Sequence, residues 1–417
     1  MNSYTIRGGS PLEGHVRVHG AKNSVLPILA ASILSGKESV IHNCPRLKDV
    51  DSSFRILRHL GCLVRREDDA VYIDSGPMSH VDVPDSLMRE MRSSVVFLGA
   101  ILGRCGQAVM SFPGGCELGP RPIDLHLQAL RVLGTEIEES GGNLYCRTNG
   151  LVGAEVNLAF PSVGATENIM LAAGAAQGVT RIHNAAREPE IEDLQNFLRA
   201  MGVFVTGAGS STVMVEGCQS YRAAEHSIIP DRIVAATLMA CAAVAGGDVT
   251  LEGVEPEHIS TVTAVLGEAG CEIGIRGDHL RIQRRKPLRS MRPLRTLPYP
   301  GFPTDAQAPI MAVATRAEGT TVFVENIFES RYRHIGELTR MGADIRVEGR
   351  VAVVCGVKKL YGARVCATDL RGGAALVVAG LGADGETDVS GIHHIDRGYE
   401  CLQTMLSGLG ADIVRKD

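Results

Sequence analysis

Apolar and polar positions along this chain follow a pattern that returns six times. The segments FRILRHLGCLVRR, LQALRVLGTEIEE, LQNFLRAMGVFVTG, VTAVLGEAGCEIGI, IGELTRMGADIRV and LQTMLSGLGADIV share one order: apolar residues at helical spacing, a glycine, then a short alternating run. This predicts an amphipathic helix followed by a strand. The shared glycines, Gly61, Gly134, Gly202, Gly270, Gly342 and Gly410, are spaced by 73, 68, 68, 72 and 68 residues. Glycine just past a helix takes a left-handed conformation that other residues resist, so each helix is expected to stop there. A second set of segments recurs at a similar interval: GAKNSVLPILAASIL, MRSSVVFLGAILG, VGATENIMLAAGAA, DRIVAATLMACAAVA, TDAQAPIMAVATRA and LRGGAALVVAGLGA. These are apolar nearly all round, which predicts burial on every side.

The repeating unit is therefore strand, buried helix, strand, amphipathic helix, strand, strand, a βαβαββ-like block used repeatedly in an α/β chain. Six blocks divide into two groups of three. Residues 21–229 form the first expected domain; residues 230–417, with 1–20, form the second. The N-terminal SYTIRG segment has no helix of its own and is expected to supply a strand to the second group. Wholly apolar helices suggest helices inside and sheets outside. An ordinary two-domain α/β protein with outer helices is the alternative.

Composition narrows the function classes. The 417 residues are 45% apolar and 21% charged, ordinary values for a soluble globular protein. A net charge of −5 gives no support for a nucleic-acid partner, so an anionic ligand must be held by local arginines and lysines. The longest apolar stretches, such as AATLMACAAVA, are too short to span a bilayer. The start, MNSYTIRGGSPLEG, has no basic region followed by an apolar core, so no signal peptide is expected. Eleven cysteines without CxxC spacing point to reduced thiols in a cytoplasm, not to a disulfide framework or a zinc site.

Polar residues stand at the starts of the apolar helices, where free N–H groups already favour anions. Lys22 and Asn23 open the first, Arg92 the second, Asp231 and Arg232 the fourth, Asp305 the fifth, and Asp369 and Arg371 the sixth. Arg121 and Asp124, Glu188 and Glu190, Arg331, and Asp396 and Arg397 precede or open amphipathic helices. Any one of these is ordinarily a helix cap or a solvated charge. Their recurrence at one place in the repeat, from both halves of the chain, suggests a polyanionic substrate gripped by arginine forks. Cys116 lies in the Gly/Pro-rich loop PGGCELGPRP, five residues before Arg121. A nearby cation lowers a thiol pKa, so Cys116 is either a reactive thiol or an inert small residue.

Six segments, GAKNSVLPILAA, PGGCELGPRPIDLH, FPTDAQAP, ENIFESRYRHIGEL, ATDLR and HHIDRGYE, resemble the signature segments of the UDP-N-acetylglucosamine enolpyruvyl transferase family, in order and from about Gly8 to the C-terminus. The resemblance implies an inside-out α/β barrel of two domains with three repeats each. The chain would cross between the domains twice, and the active site would lie in the cleft between them. It implies transfer of the enolpyruvyl group of phosphoenolpyruvate to the 3-hydroxyl of UDP-N-acetylglucosamine by addition and elimination, with no metal or organic cofactor. This is the first committed step of peptidoglycan synthesis in the bacterial cytoplasm, and neither a nucleic acid nor a membrane is a partner.

By the same resemblance, Lys22, Arg121 and Arg397 hold the phosphate, with Arg92 nearby, and Arg331, Arg371 and Arg397 address the carboxylate. Asp305 is the base for the sugar hydroxyl, Asn23 fixes the sugar and the intermediate, and Asp369 orients neighbouring groups. Cys116 matches the reactive cysteine that protonates the methylene carbon or forms an adduct, and that the epoxide fosfomycin alkylates. The nucleotide would lie along Arg121, Pro122, Ile123, Asp124, Leu125 and His126 and along Ser162, Val163 and Gly164, with Asp305 and Ile327 near the sugar. Two positions depart from the family pattern: Phe160, where a lysine is frequent, and Tyr299, where histidine is common. The rivals are the sister enolpyruvylshikimate phosphate synthase and a silent UDP-sugar-binding paralogue. The GAKN, PGGC and HIDRGY segments argue against the first, and the intact Lys22, Cys116, Asp305 and Arg397 against the second.

Overall fold

All six repeat glycines have positive φ, between 93° and 98°, so each amphipathic helix ends in the left-handed turn that glycine permits. This is seen in a computed structural model that describes residues 2–112 and 123–416. Cys116, Arg121 and Pro122 lie outside the described residues.

Each repeat builds a four-stranded sheet with one parallel and two antiparallel pairings. In the second repeat, Asp82–Val83 runs parallel to Gln107–Ser111, which pairs antiparallel with Asn143–Arg147, whose far edge takes Glu136–Ser140. The third repeat, from Glu155–Asn157, and the fifth, from Leu294–Arg295, have the same order. The first and fourth repeats differ in where their opening strand comes from. Leu12–Arg17 precedes the first buried helix in sequence, yet it pairs with Gly247–Glu252 of the fourth repeat. Ala224–Ser227 precedes the fourth buried helix, yet it pairs with Glu38–His42 of the first. The sixth sheet is completed by Ser3–Arg7, which sits between Glu386–Ser390 and Asp412–Lys416. A strict local order of strand then helix is thus broken at two places.

Two compact units result: residues 20–112 with 123–229, and residues 2–19 with 230–416. Each has its own apolar core. In the first, the helices Lys22–Ala31, Phe97–Cys105 and Val163–Ala173 pack on one another; in the second, Arg232–Ala245, Thr304–Ala314 and Leu370–Leu381 do so. Most residues of these helices are buried, whereas the strands alternate between buried and more exposed positions, as Val351–Cys355 does. Helices therefore form the inside of each unit and sheets its outside. Ala and Gly let the layers approach. A Cβ on Gly217 would stand 1.7 Å from the Ala176 carbonyl oxygen, and one on Gly356 1.6 Å from that of Ala317, the same contact in two repeats. Among the described residues no helix is long and apolar enough to cross a membrane.

Candidate active site

In the unit of residues 20–229, Lys22 and Asn23 are the first two residues of the helix Lys22–Ala31, half-buried where backbone N–H groups lack helical partners. The Lys22 ammonium pairs with Asp49 at 2.8 Å, and the Asp49 side chain is only 3% exposed. A buried carboxylate so placed fixes the cation's position. The next residue, Ser24, donates its hydroxyl to Asp193. Asp193 also pairs with His226 at 2.7 Å and accepts the Ile229 N–H at 3.4 Å, so it ties the start of this helix to the end of the unit. Sequence reasoning passed over Asp49 and Asp193, each one of several acids on an amphipathic helix with no local mark of burial.

Arg92 opens a 3₁₀ turn, Arg92–Val96, that leads into Phe97–Cys105, so it stands a turn ahead of the α-helix proper. Asp124 opens the helix Asp124–Val132 and is exposed; Ile123 and His126 are buried and Leu125 is half-buried. Burial pushes the His126 imidazole down to about 4, aided by the Arg92 cation and opposed by Asp124. Ser162 caps the helix Val163–Ala173 by accepting the Ala165 N–H at 3.4 Å, and Val163 and Gly164 form its first turn. The Cε1 of His126 lies 3.3 Å from where a Cβ on Gly164 would stand, so the structure brings His126 and the Ser162–Gly164 turn together. Phe160 is an exposed aromatic two residues ahead of that turn.

In the unit of residues 2–19 and 230–416, three of the expected residues converge. Asp305, in the first turn of Thr304–Ala314, binds Arg331 through Oδ1 at 2.8 Å and Arg371 through Oδ2 at 3.1 Å. Both arginine side chains are only 3% exposed. Two buried guanidiniums flanking one carboxylate set several fixed N–H donors in a low-dielectric place, where forked donors suit a carboxylate or phosphate. Each Asp305 oxygen accepts from one guanidinium, Oδ1 from Arg331 and Oδ2 from Arg371. Burial alone would depress the Arg371 pKa; Asp305, Tyr399 and Asp231 carry it well above the usual value.

Asp369 is the N-cap of Leu370–Leu381: Oδ1 accepts the Arg371 and Gly372 N–H groups at 3.0 and 2.9 Å, which aims the Arg371 side chain. Close by is His334, buried, whose Nδ1–H donates to the Arg331 carbonyl at 3.2 Å. Burial pushes its imidazole down to about 4, with Asp369 opposing and the Arg331 cation assisting. Arg397 ends a 3₁₀ turn, Ile395–Arg397, and is half-buried. The Tyr299 ring lies 5.6 Å from the Arg232 guanidinium.

Glu325 was also missed. It is buried, and Oε1 accepts from the Thr296 hydroxyl and from the backbone N–H groups of Ile327 and Phe328, at 2.9 to 3.0 Å. The Thr304 hydroxyl donates to both its oxygens. One carboxylate thus fixes both Ile327 and the residue before Asp305. Its signal in sequence was only its place in the ENIFES segment. Replacing Glu325 by Gln is expected to destabilise the chain by about 2 kcal/mol, because a charged acceptor of several donors becomes a partial donor. Urea unfolding of E325Q against wild type checks this.

Among the described residues the ten cysteines are free, and no group of three or more potential ligands could hold a metal ion. Burial pushes the thiols of Cys62 and Cys241 up to about 12, as expected of inert core residues.

The chain as a whole is similar to several known proteins. The family model for EPSP synthase (3-phosphoshikimate 1-carboxyvinyltransferase) matches residues 6–406. UDP-N-acetylglucosamine 1-carboxyvinyltransferase 2 of Caldanaerobacter subterraneus subsp. tengcongensis is 54% identical over 415 residues, covering 100% of both chains. UDP-N-acetylglucosamine 1-carboxyvinyltransferase of Trichlorobacter lovleyi is 46% identical over 416 residues, covering 100% of this chain and 99% of that one. The solved enolpyruvyl transferase NikO from Streptomyces tendae superposes with a TM-score of 0.89 at 23% identity, covering 100% of this chain and 99% of its own. EPSP synthase from Acinetobacter baumannii superposes at 0.76 with 20% identity, covering 100% of both. These two structures carry the fold, and the sequence relatives carry the family: the chain has the enolpyruvyl transferase fold and belongs to the UDP-N-acetylglucosamine 1-carboxyvinyltransferase family.

Proposed function

We propose that this chain transfers the enolpyruvyl group of phosphoenolpyruvate to the 3-hydroxyl of UDP-N-acetylglucosamine and releases phosphate, the first committed step of bacterial peptidoglycan synthesis. The observation that carries this reading is the Asp305 carboxylate held between the buried guanidiniums of Arg331 and Arg371. Phosphoenolpyruvate brings a carboxylate, which suits Arg331, Arg371 and Arg397. Its phosphate suits Lys22, Arg121 and Arg397, with Arg92 nearby. Asp305 accepts the proton of the sugar hydroxyl as that oxygen attacks C2 of the enol. Cys116 delivers a proton to C3. The resulting tetrahedral ketal loses the C3 proton and expels phosphate by C–O cleavage. Asn23 holds the sugar and the intermediate, Asp369 aims Arg371, and Ile327 borders the sugar. The nucleotide follows residues 121–126 and Ser162, Val163 and Gly164, whose small-residue turn offers backbone N–H groups to a diphosphate. The setting is the cytoplasm, where both substrates occur.

Phosphate release from phosphoenolpyruvate, with UDP-N-acetylglucosamine or shikimate 3-phosphate as acceptor, tests this. Release with the nucleotide sugar alone is expected. Release only with shikimate 3-phosphate would overturn the acceptor, and release with neither would overturn the enzyme. Fosfomycin is expected to inactivate the wild type by alkylating the Cys116 thiolate. Cys116→Asp is expected to keep turnover within about tenfold, since a carboxylic acid can also donate a proton, and to abolish inactivation, measured by mass shift and residual activity.

A further inference from the structure

The Asn168 side chain, wholly buried in the helix Val163–Ala173, is inserted into another helix's hydrogen-bond ladder. Its Oδ1 accepts the Gly99 N–H at 2.5 Å, and its Nδ2 donates to the Val95 carbonyl at 3.0 Å. Val95 and Gly99 are four residues apart, the spacing of one helical bond, at the junction of Arg92–Val96 with Phe97–Cys105. These two backbone groups leave the carboxamide one orientation. Flipped, it would set N–H against N–H and oxygen against oxygen. Gly99 is required for the insertion, because a Cβ there would lie 2.4 Å from Asn168 Oδ1.

The second N–H of Asn168 Nδ2 points at His126 Nδ1, 3.0 Å away. A donor facing that nitrogen requires a lone pair on it, so the ring proton of the neutral imidazole must be on Nε2. Among the described residues, Arg92 and Asp124 are the charged groups that act on His126, and with burial they leave it neutral through the physiological range. Nε2 lies 3.6 Å from where a Cβ on Gly164 would stand, at the first turn of the helix Val163–Ala173.

We infer that Asn168 is a positioning residue that fixes His126 as the Nε2–H tautomer and so presents an N–H donor, beside the Ser162–Gly164 turn, to a phosphate oxygen of the nucleotide. The inference rests on the proposed function for its ligand. It goes further in naming the residue that sets the donor, and it makes one side chain link the Arg92 turn, His126 and the Gly164 turn.

The first measurement is the long-range ¹H–¹⁵N spectrum of the imidazoles in the full chain. His126 is expected to show an unprotonated Nδ1 and a protonated Nε2; the reverse assignment overturns the inference without reference to any substrate. The second is steady-state kinetics of Asn168→Leu, which lets Val95 and Gly99 close their own helical bond but frees the His126 ring. The KM for UDP-N-acetylglucosamine is expected to rise roughly tenfold, as for loss of one hydrogen bond to a charged group, while the KM for phosphoenolpyruvate stays within about twofold. In a His126→Ala background, Asn168→Leu is expected to add less than about twofold, because its effect runs through the ring. Multiplicative effects of the two substitutions overturn the positioning role. If the wild type turns over no nucleotide sugar, the functional reading falls, and the spectrum still decides the tautomer.

Discussion

Asp305→Asn is expected to lower the rate of phosphate release by about a thousandfold, within the range for loss of a positioned general base. Asparagine keeps the size of the side chain and one acceptor oxygen. It cannot take up the proton of the sugar hydroxyl, and its amide sets a donor against one of the two guanidiniums that Asp305 now bridges. The substitution is therefore also expected to cost stability, about 3 kcal/mol, because Arg331 and Arg371 remain buried without the carboxylate that bridges them. The two effects are separable. Urea unfolding reads the stability, and phosphate release well below the unfolding transition reads the chemistry. Turnover within tenfold of wild type in a folded Asp305→Asn protein would remove Asp305 from the role of base. Asp305→Ala is a poorer test, since it deletes both acceptors and its loss of turnover could follow from displaced arginines alone.

The second large effect is a loss of stability in mild acid. In the folded chain His126 and His334 take up a proton only near pH 4, whereas an unfolded imidazole does so near 6.5. The stability tied to keeping them neutral is complete above about pH 6.5 and is lost as pH falls through that window towards 4. Each ring contributes about 3 kcal/mol at the lower end. Two such groups remove much of the margin on which a folded protein rests. Glu167 acts in the opposite direction: burial, with Glu190 and Glu188 nearby, holds its carboxyl well above the usual range. Its contribution is present below the unfolded carboxyl pKa and is lost as pH rises through the raised folded value. Urea unfolding at pH 7, 5 and 4 should show His334→Gln losing about 3 kcal/mol less than wild type between the two ends. Parallel curves would mean that His334 is protonated in the folded chain at mild pH.

Local and repeated features are legible in the sequence. The helix-ending glycines, the six apolar helices and the polar residues at their starts all follow from short-range rules, and Gly61 to Gly410 have the backbone that such rules require. Pairings between distant residues are not legible in this way. Asp305 meets Arg331 and Arg371 across 26 and 66 positions, and nothing in FPTDAQAP says that one carboxylate will bridge both. The buried acids Asp49, Asp193 and Glu325 read as surface charges, because their donors arrive from other elements. Asn168 reads as a polar blemish in an apolar helix until its two backbone partners are seen. Leu12–Arg17 and Ala224–Ser227 could each have joined the repeat that follows them; the choice between equivalent sheet edges is made by tertiary packing. The motif resemblance carried what short-range rules could not, including the roles assigned to Cys116, Arg121 and Pro122, which lie outside the described residues.

The exchange of opening strands sets a timetable for synthesis. The partner of Glu38–His42 is Ala224–Ser227, so the unit of residues 20–229 has all its strands once about residue 229 has left the ribosome. The first strands made wait longer. Leu12–Arg17 has no partner until Gly247–Glu252 emerges, and Ser3–Arg7 none until Glu386–Ser390 and Asp412–Lys416 do. At translation speeds of roughly 5–20 residues per second, the N-terminal strand stays unpaired for about 20 to 80 seconds, the last 8 to 30 or so of them after the first unit has all its strands. An unpaired strand edge is a template for misassembly, and here the charged side chains of the segment, Arg7, Glu13 and Arg17, oppose it.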